Sequence, residues 1–188
     1  MIKYLIMDVD GTLTDGKVYI GNDGEMMKAF NIKDGYGICD IAMKNGIVPI
    51  IITGRTSTIV RNRCNELGIE NVYQGVRDKL EKILLFTSDL STVAYIGDDL
   101  NDLSCMIRIK ESTGLVGCPK DAAKQVKELA DFVAEHNGGE GAVRDFVEWI
   151  CRWRCLNKLV CQESSEILVY IAYTIGELAD NALCHAYT

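Results

Sequence analysis

No apolar stretch in this chain reaches the ~20 residues a membrane-spanning helix requires. No charged-then-apolar leader precedes the first strand pattern at Tyr4, so no signal peptide is expected. Positive charge is in deficit: 20 Lys and Arg stand against 27 Asp and Glu, for a net charge of −7. That balance disfavours nucleic acid and anionic membranes as partners. No C-x-x-C pair occurs among the eight cysteines, and there is no internal repeat or low-complexity segment. Cys39, Cys64 and Cys105 fall in helical patterns and read as small buried apolar residues. Reduced thiols and a cytoplasmic location are the expectation.

What is present is a chain of 188 residues, one domain by length and able to bury about two-thirds of its unfolded surface. Apolar runs alternate with helical patterns, which predicts an α/β fold of parallel β-α-β units. Helices are expected at about 35–44, 56–67 (ending at Gly68), just after Lys79, just after Asp99, from Pro119 to about Leu129, and up to about Arg152. Short late strands are expected at Gly114–Gly117 and Asp131–Val133.

The apolar run Tyr4-Leu5-Ile6-Met7 leads into Asp8-Val9-Asp10-Gly11-Thr12-Leu13-Thr14. Open α/β sheets bind ligands at the carboxyl ends of their strands. Residues i and i+2 point the same way while the chain stays extended, so Asp8 and Asp10 face one site. Two neighbouring carboxylates call for a cation, a shared proton, or both. That pattern fits metal-assisted chemistry with an aspartate nucleophile and an acid/base partner. D-x-D-G is also a common turn or helix start.

Three further stretches follow. Val48-Pro49-Ile50-Ile51-Ile52 ends in Thr53-Gly54-Arg55. Thr53 is either a donor to a phosphoryl oxygen, with Gly54 letting the backbone approach, or a helix cap. Lys79 opens a helical pattern carrying Leu80, Ile83, Leu84 and Phe86, where a solvated surface lysine is the plain alternative. Val93-Ala94-Tyr95-Ile96 ends in Gly97-Asp98-Asp99-Leu100-Asn101-Asp102. This acidic turn reads as a hard-cation site suited to Mg²⁺, or as a capping box from Asp99 to Asp102, and the two are compatible.

D-x-D-G-T, T-G, K and G-D-D-x-x-D, in that order, resemble the motifs of the haloacid dehalogenase (HAD) superfamily of phosphotransferases. Further stretches are Asp15-Gly16-Lys17, a hairpin around Gly21-Asn22-Asp23-Gly24, Asn31-Ile32-Lys33-Asp34-Gly35-Tyr36-Gly37, Tyr73-Gln74-Gly75 and Gly138-Gly139-Glu140-Gly141-Ala142-Val143-Arg144. The series resembles the small HAD phosphatases that act on eight- and nine-carbon sugar-acid phosphates, over roughly four-fifths of the chain.

The resemblance implies a three-layer, Rossmann-like fold with a central parallel sheet, a β-hairpin flap and no cap domain. It implies Asp8 as nucleophile and Asp10 as acid/base, with Thr53, Gly54, Arg55 and Lys79 on the phosphorylated substrate. Arg144 would lie near the substrate's acidic end. Mg²⁺ would be held by Asp8, Asp10 and Asp98, with Asp99 and Asp102 acting through water or through other residues. Relatives are homotetramers, so a neighbouring subunit would cover the site and its Gly138–Arg144 segment would reach in. Arg55 favours an eight-carbon acid; a nine-carbon ulosonate 9-phosphate or another sugar phosphate is the alternative. A receiver-type signalling domain is a distant alternative that Asp10 speaks against, and a silent scaffold is disfavoured because no motif residue is missing.

Residues 1–153 are expected to form the phosphatase domain and 154–188 a helical extension of unassigned role. In the extension Ile167, Leu168, Ile171, Ala172, Ile175, Leu178, Ala179 and Ala182 recur at helical spacing. Glu163, Glu166, Glu177 and Asp180 speak against a membrane-surface helix. Cys151, Cys155, Cys161 and His185 are spaced too loosely for a recognisable zinc site.

Overall fold

The structure, a computed structural model, describes residues 1–162, with side chains through residue 154. The apolar stripe expected at 167–182 lies outside the described residues.

The first strand, β1 (Tyr4–Met7), leads into the D-x-D turn. A two-stranded antiparallel hairpin follows, β2 (Tyr19–Gly21) and β3 (Gly24–Met27). Helix α1 (Ile32–Tyr36) is capped by Asn31, whose side chain accepts from the Lys33 N–H. It widens into a π-helix at Gly37–Ala42 and tightens to a 3₁₀ turn at Met43–Asn45, closed by Gly46 in the left-handed region. The expected helix at 35–44 therefore starts earlier, because Asn31 supplies the cap, and it is not regular.

Strand β4 (Val48–Ile52) precedes α2 (Thr58–Glu66), which Ser57 caps. A strand absent from the sequence reading comes next, β5 (Asn71–Tyr73), then α3 (Lys79–Leu84), capped by Asp78. Strand β6 (Val93–Ile96) and a 3₁₀ turn at Leu100–Asp102 lead into α4 (Leu103–Glu111). Then come β7 (Leu115–Cys118), α5 (Lys124–Leu129), β8 (Phe132–Val133) and α6 (Ala142–Gln162).

Two expectations are corrected here. The helix predicted from Pro119 begins only at Lys124, because residues 120–122 form a turn. The last helix does not stop near Arg152 but continues through Gln162. Residues Met1–Cys151 form one compact unit. Among the described residues no helix is long and apolar enough to cross a membrane.

The main sheet has the order β5-β4-β1-β6-β7-β8, with every neighbouring pair parallel. Parallel strands buried on both faces read as continuous apolar runs. On one face Ile6, Ile50, Ile52, Tyr95 and Val116 pack with Ile83 of α3, Met106 and Ile109 of α4 and Val126 of α5. The alternate residues Leu5, Met7, Ile51, Ala94 and Ile96 are also fully buried. The sheet is therefore the middle of three layers. The chain leaves β1 toward β4 on one side and later returns to β6 on the other. That switch point is where doubly wound sheets place ligands. Between β1 and β4 stand only the hairpin and the irregular helix, so no cap domain interrupts the described residues.

Asp34 of α1 fastens the start of α6 to this body. Its buried carboxylate accepts the Arg144 N–H at 2.8 Å, while Oδ2 has no partner. Burial pushes the Asp34 carboxyl up to about 6, and the nearby Asp145 charge adds to the rise. The Arg144 and Val143 amides and His136 oppose it. A raised carboxyl favours the protonated fold, so this contribution is complete below the ordinary value near 3.8 and is lost as pH rises through about 6. Asp34→Asn, relative to the parent, should therefore be more favourable at pH 7.5 than at pH 4.5, by on the order of 2 kcal/mol. Urea midpoints at the two pH values measure this; an identical mutant-to-parent difference at both would contradict it.

Candidate active site

The β1 ladder continues into Asp8, whose N–H donates to the Ile96 carbonyl at 3.1 Å. The chain then turns sharply, with the N–H groups of Thr12, Leu13 and Thr14 all directed at the Val9 carbonyl. Gly11 has φ +90°, and a Cβ there would lie 2.0 Å from Asp98 Oδ2. Only glycine lets this turn press so closely on the acidic turn after β6. Thr12 Oγ1 donates to Asp98 Oδ1 at 3.0 Å, which fixes the same contact.

Gly138 and Gly139 lie over the D-x-D turn from outside. Gly139 N–H donates to the Thr12 carbonyl at 3.0 Å, and a Cβ on Gly138 would come within 1.8 Å of the Gly11 carbonyl. The glycine-rich segment is thus packed on its own chain's motif.

Thr53 is buried at the end of β4, where its backbone bonds to Tyr73 and Val76. Its hydroxyl is not a helix cap, because Ser57 does that work for α2. Lys79 is not a surface lysine: its side chain is 3 % exposed. The ammonium lies 3.0 Å from Asp8 Oδ1 and 2.6 Å from Asp102 Oδ1.

The acidic turn satisfies both of its readings. Asp99 and Asp102 form a capping box, and Asp8, Asp98 and Asp102 each bring a carboxylate oxygen within 4.8 Å of the others. Asp102, however, is saturated. Oδ1 takes Lys79 and the Tyr95 hydroxyl (2.7 Å), and Oδ2 takes the Asp98 and Asp99 N–H groups at 3.0 and 3.3 Å. Its lone pairs are committed, so Asp8 and Asp98 are the carboxylates better placed to face a cation.

Electrostatics agree with that division. Burial first, then the charges of Asp8 and Asp102, raise the Asp98 carboxyl to about 7, against the Thr12 hydrogen bond. Burial also raises Asp8, against the pull of Lys79. Burial works against the charge on Lys79, but Asp8 and Asp102 more than offset it and hold the ammonium above its ordinary value. Such an all-oxygen set, short of positive charge, suits a hard divalent cation.

An open cleft of about 210 Å³ is lined by Asp8, Asp10, Thr53, Gly54, Arg55, Asp98, Asp99 and Asn101. It lies at the carboxyl ends of β1, β4 and β6. A larger depression of about 520 Å³ begins at Thr56, but no acidic side chain lines it. The predicted residues converge on the smaller cleft, and Lys79 and Asp102 support it from below.

Arg144 is not brought there within one chain. Its guanidinium lies over the Tyr36 ring at 4.9 Å, and its Nε donates to Glu148 at 2.6 Å. The sequence reading missed Lys28, a buried lysine paired with Asp10 and Glu25. It also missed Tyr95 as the partner of Asp102. The available signals were a lysine directly after the hairpin's apolar return strand and a hydroxyl inside a buried strand.

No protein-family profile matches the chain. Among solved structures, a Legionella pneumophila protein described as a HAD superfamily (subfamily III A) hydrolase matches at 40% identity and TM-score 0.71. That match covers 80% of this chain and 82% of the other. The sheet and the site, with no cap domain among the described residues, therefore define a HAD-superfamily protein.

The chain is also 44% identical over 151 residues to 3-deoxy-D-manno-octulosonate 8-phosphate phosphatase KdsC of Escherichia coli (strain K12), covering 77% of this chain and 76% of that protein. The Moraxella catarrhalis 3-deoxy-D-manno-octulosonate 8-phosphate phosphatase, solved with magnesium ion, phosphate ion and KDO, matches at TM-score 0.74 and 38% identity. It covers 80% of this chain and 86% of that one. The chain belongs to the 3-deoxy-D-manno-octulosonate 8-phosphate phosphatase family of the HAD superfamily.

Removing Asp102 should leave a buried ammonium with Asp8 as its remaining carboxylate and take the acceptor from a phenol and two N–H groups. Breaking one side of a buried ion pair costs about 3–5 kcal/mol. Asp102→Ala should lower the unfolding free energy by that order in urea titration of the metal-free protein. An unchanged midpoint would show that the network contributes little.

Proposed function

We propose that this chain is a Mg²⁺-dependent phosphatase that hydrolyses 3-deoxy-D-manno-octulosonate 8-phosphate through an aspartyl-phosphate intermediate. The observation that carries the reading is one cleft lined by Asp8, Asp10, Thr53, Arg55 and Asp98, with Lys79 buried against Asp8.

Asp8 attacks phosphorus through a carboxylate oxygen while the bond to the sugar oxygen breaks. Asp10 gives its proton to that leaving oxygen. Asp10 then takes a proton from water, which attacks phosphorus, and the bond to Asp8 breaks. Thr53 donates its hydroxyl, Gly54 its backbone approach and Lys79 its charge to the equatorial phosphoryl oxygens. Mg²⁺, with the Asp8 carboxylate, the Asp10 backbone carbonyl and Asp98 as the residues that would hold it, supplies charge neutralisation at the phosphoryl group when bound. Asp99 and Asp102 act through neighbouring residues, by capping the turn and holding Lys79. Arg55 stands at the cleft mouth, 53 % exposed, where it meets the acid end of an anionic substrate.

The reading extends to assembly and location. Ile20 and Met26 of the hairpin are 72 % and 67 % exposed, more apolar surface than a lone two-stranded ribbon usually leaves in water. A homotetramer would cover them and shelter the open cleft, while the Gly138–Arg144 segment stays packed on its own chain's D-x-D turn instead of reaching into a neighbour. Free thiols at Cys39, Cys64, Cys105 and Cys118 fit a reducing cytoplasm. Residues 1–153 carry the chemistry in this reading, and 154–188 are a C-terminal extension of unassigned role.

A phosphate-release screen tests the substrate. The eight-carbon ulosonate 8-phosphate should exceed a nine-carbon ulosonate 9-phosphate and simple hexose phosphates in kcat/KM. Asp8→Asn should remove turnover, and excess chelator should do the same reversibly. A higher kcat/KM for the nine-carbon ester would reassign the substrate, and normal turnover by Asp8→Asn would remove the nucleophile.

A further inference from the structure

Asp10 sits in a turn, and nothing in its own segment fixes the direction of its carboxylate. Two cations from elsewhere do. Arg55 Nε lies 3.7 Å from Oδ2, on the cleft side. Lys28 Nζ bonds Oδ1.

The two cations differ in kind. The Arg55 side chain is half-exposed, whereas that of Lys28 is 1 % exposed. A lysine ammonium is almost never buried without partners. Lys28 follows β3 directly, and its other partner is Glu25 of the same strand, with Oε1 at 3.2 Å. Glu25 Oε2 in turn accepts the Ser57 hydroxyl. Ser57 caps α2 and donates its N–H to Gln74 Oε1 at 2.6 Å. A continuous polar strut thus runs from Asp10 through the hairpin to the loop that carries Thr53 and Arg55.

We propose that Lys28 is a positioning residue for Asp10: it holds Oδ1 from the protein side, so that Oδ2 is presented to the leaving-group oxygen in the cleft. The inference rests on the acid/base role proposed above for Asp10. Lys28 is itself outside the cleft lining, so it acts on the reaction through Asp10 and not on the phosphoryl group.

Leaving-group dependence separates this role from a structural one. An alkyl phosphate must receive a proton as its bond to phosphorus breaks, whereas p-nitrophenolate leaves without one. The alkyl substrate is whichever sugar phosphate the parent enzyme turns over best in the screen above, so a revised substrate leaves this test intact. Product release is followed in a single turnover by rapid quench with Mg²⁺ present.

Lys28→Met should slow alkyl phosphate cleavage about 100-fold, the scale of a general acid's contribution, and p-nitrophenyl phosphate cleavage by less than about threefold on the same ground. Lys28→Arg should recover most of the loss. Glu25→Gln, which keeps the lysine and loosens its second partner, should show the same split to a smaller degree. It replaces Lys28→Met where that variant does not fold. Equal slowing of both substrates would make Lys28 structural, a loss of inorganic phosphate affinity would make it a phosphate ligand, and no slowing would make it idle. Each of the three overturns the inference. A parent that cleaves some other sugar phosphate best, with the split intact, would overturn only the substrate reading.

Discussion

The Lys79 ammonium lies buried between Asp8 and Asp102 beneath the cleft, and the surrounding architecture follows from that placement. A charge buried there costs several kcal/mol unless it is closely paired and its hydrogen bonds are met. Both partners must therefore arrive together. Asp8 comes from the end of β1, Lys79 from the first turn of α3, and Asp102 from the turn after β6. Tyr95, inside β6, adds its hydroxyl to the oxygen of Asp102 that Lys79 uses. Strand order and charge pairing thus impose the same geometry: β1 and β6 are direct neighbours in the sheet.

This pairing also divides labour among the acids. Because Asp102 accepts four donors, it is occupied in holding the turn and the lysine. Among the described residues Asp98 has the Thr12 hydroxyl alone to soften its crowding by Asp8 and Asp102, and burial first, then those two charges, raise its carboxyl. A hard cation would relieve the crowding. The close approach that creates the crowding depends on Gly11, where any side chain would collide with Asp98.

Strands at the sheet centre were legible because parallel strands covered on both faces leave unbroken apolar runs, as in Tyr4–Met7, Val48–Ile52 and Val93–Ile96. Asp8, Asp10, Thr53 and Asp98 were legible because each ends such a run. Strand β5 was not, since three residues cannot display a period. The start of α1 was obscured by Gly35 and Gly37, although Asn31 offers a good cap. Lys28 was invisible for a different reason: its meaning lies in Asp10, and only the folded hairpin brings them together. Arg144 shows the converse. Glu148 lies one helical turn on and takes its Nε, a local pairing that sequence spacing already allows.

The central claim is that the buried cluster presents Asp8 as a nucleophile, and covalent trapping addresses it most directly. Full-length enzyme with Mg²⁺ would be mixed with its sugar-acid phosphate, quenched in acid within one turnover and reduced with borohydride. Reduction converts an aspartyl-phosphate to homoserine, which peptide mass mapping locates. The account predicts homoserine at position 8 and nowhere else, and none in protein quenched without substrate. Efficient turnover with no modified residue, or with homoserine at Asp10 or Asp98 instead, would contradict it.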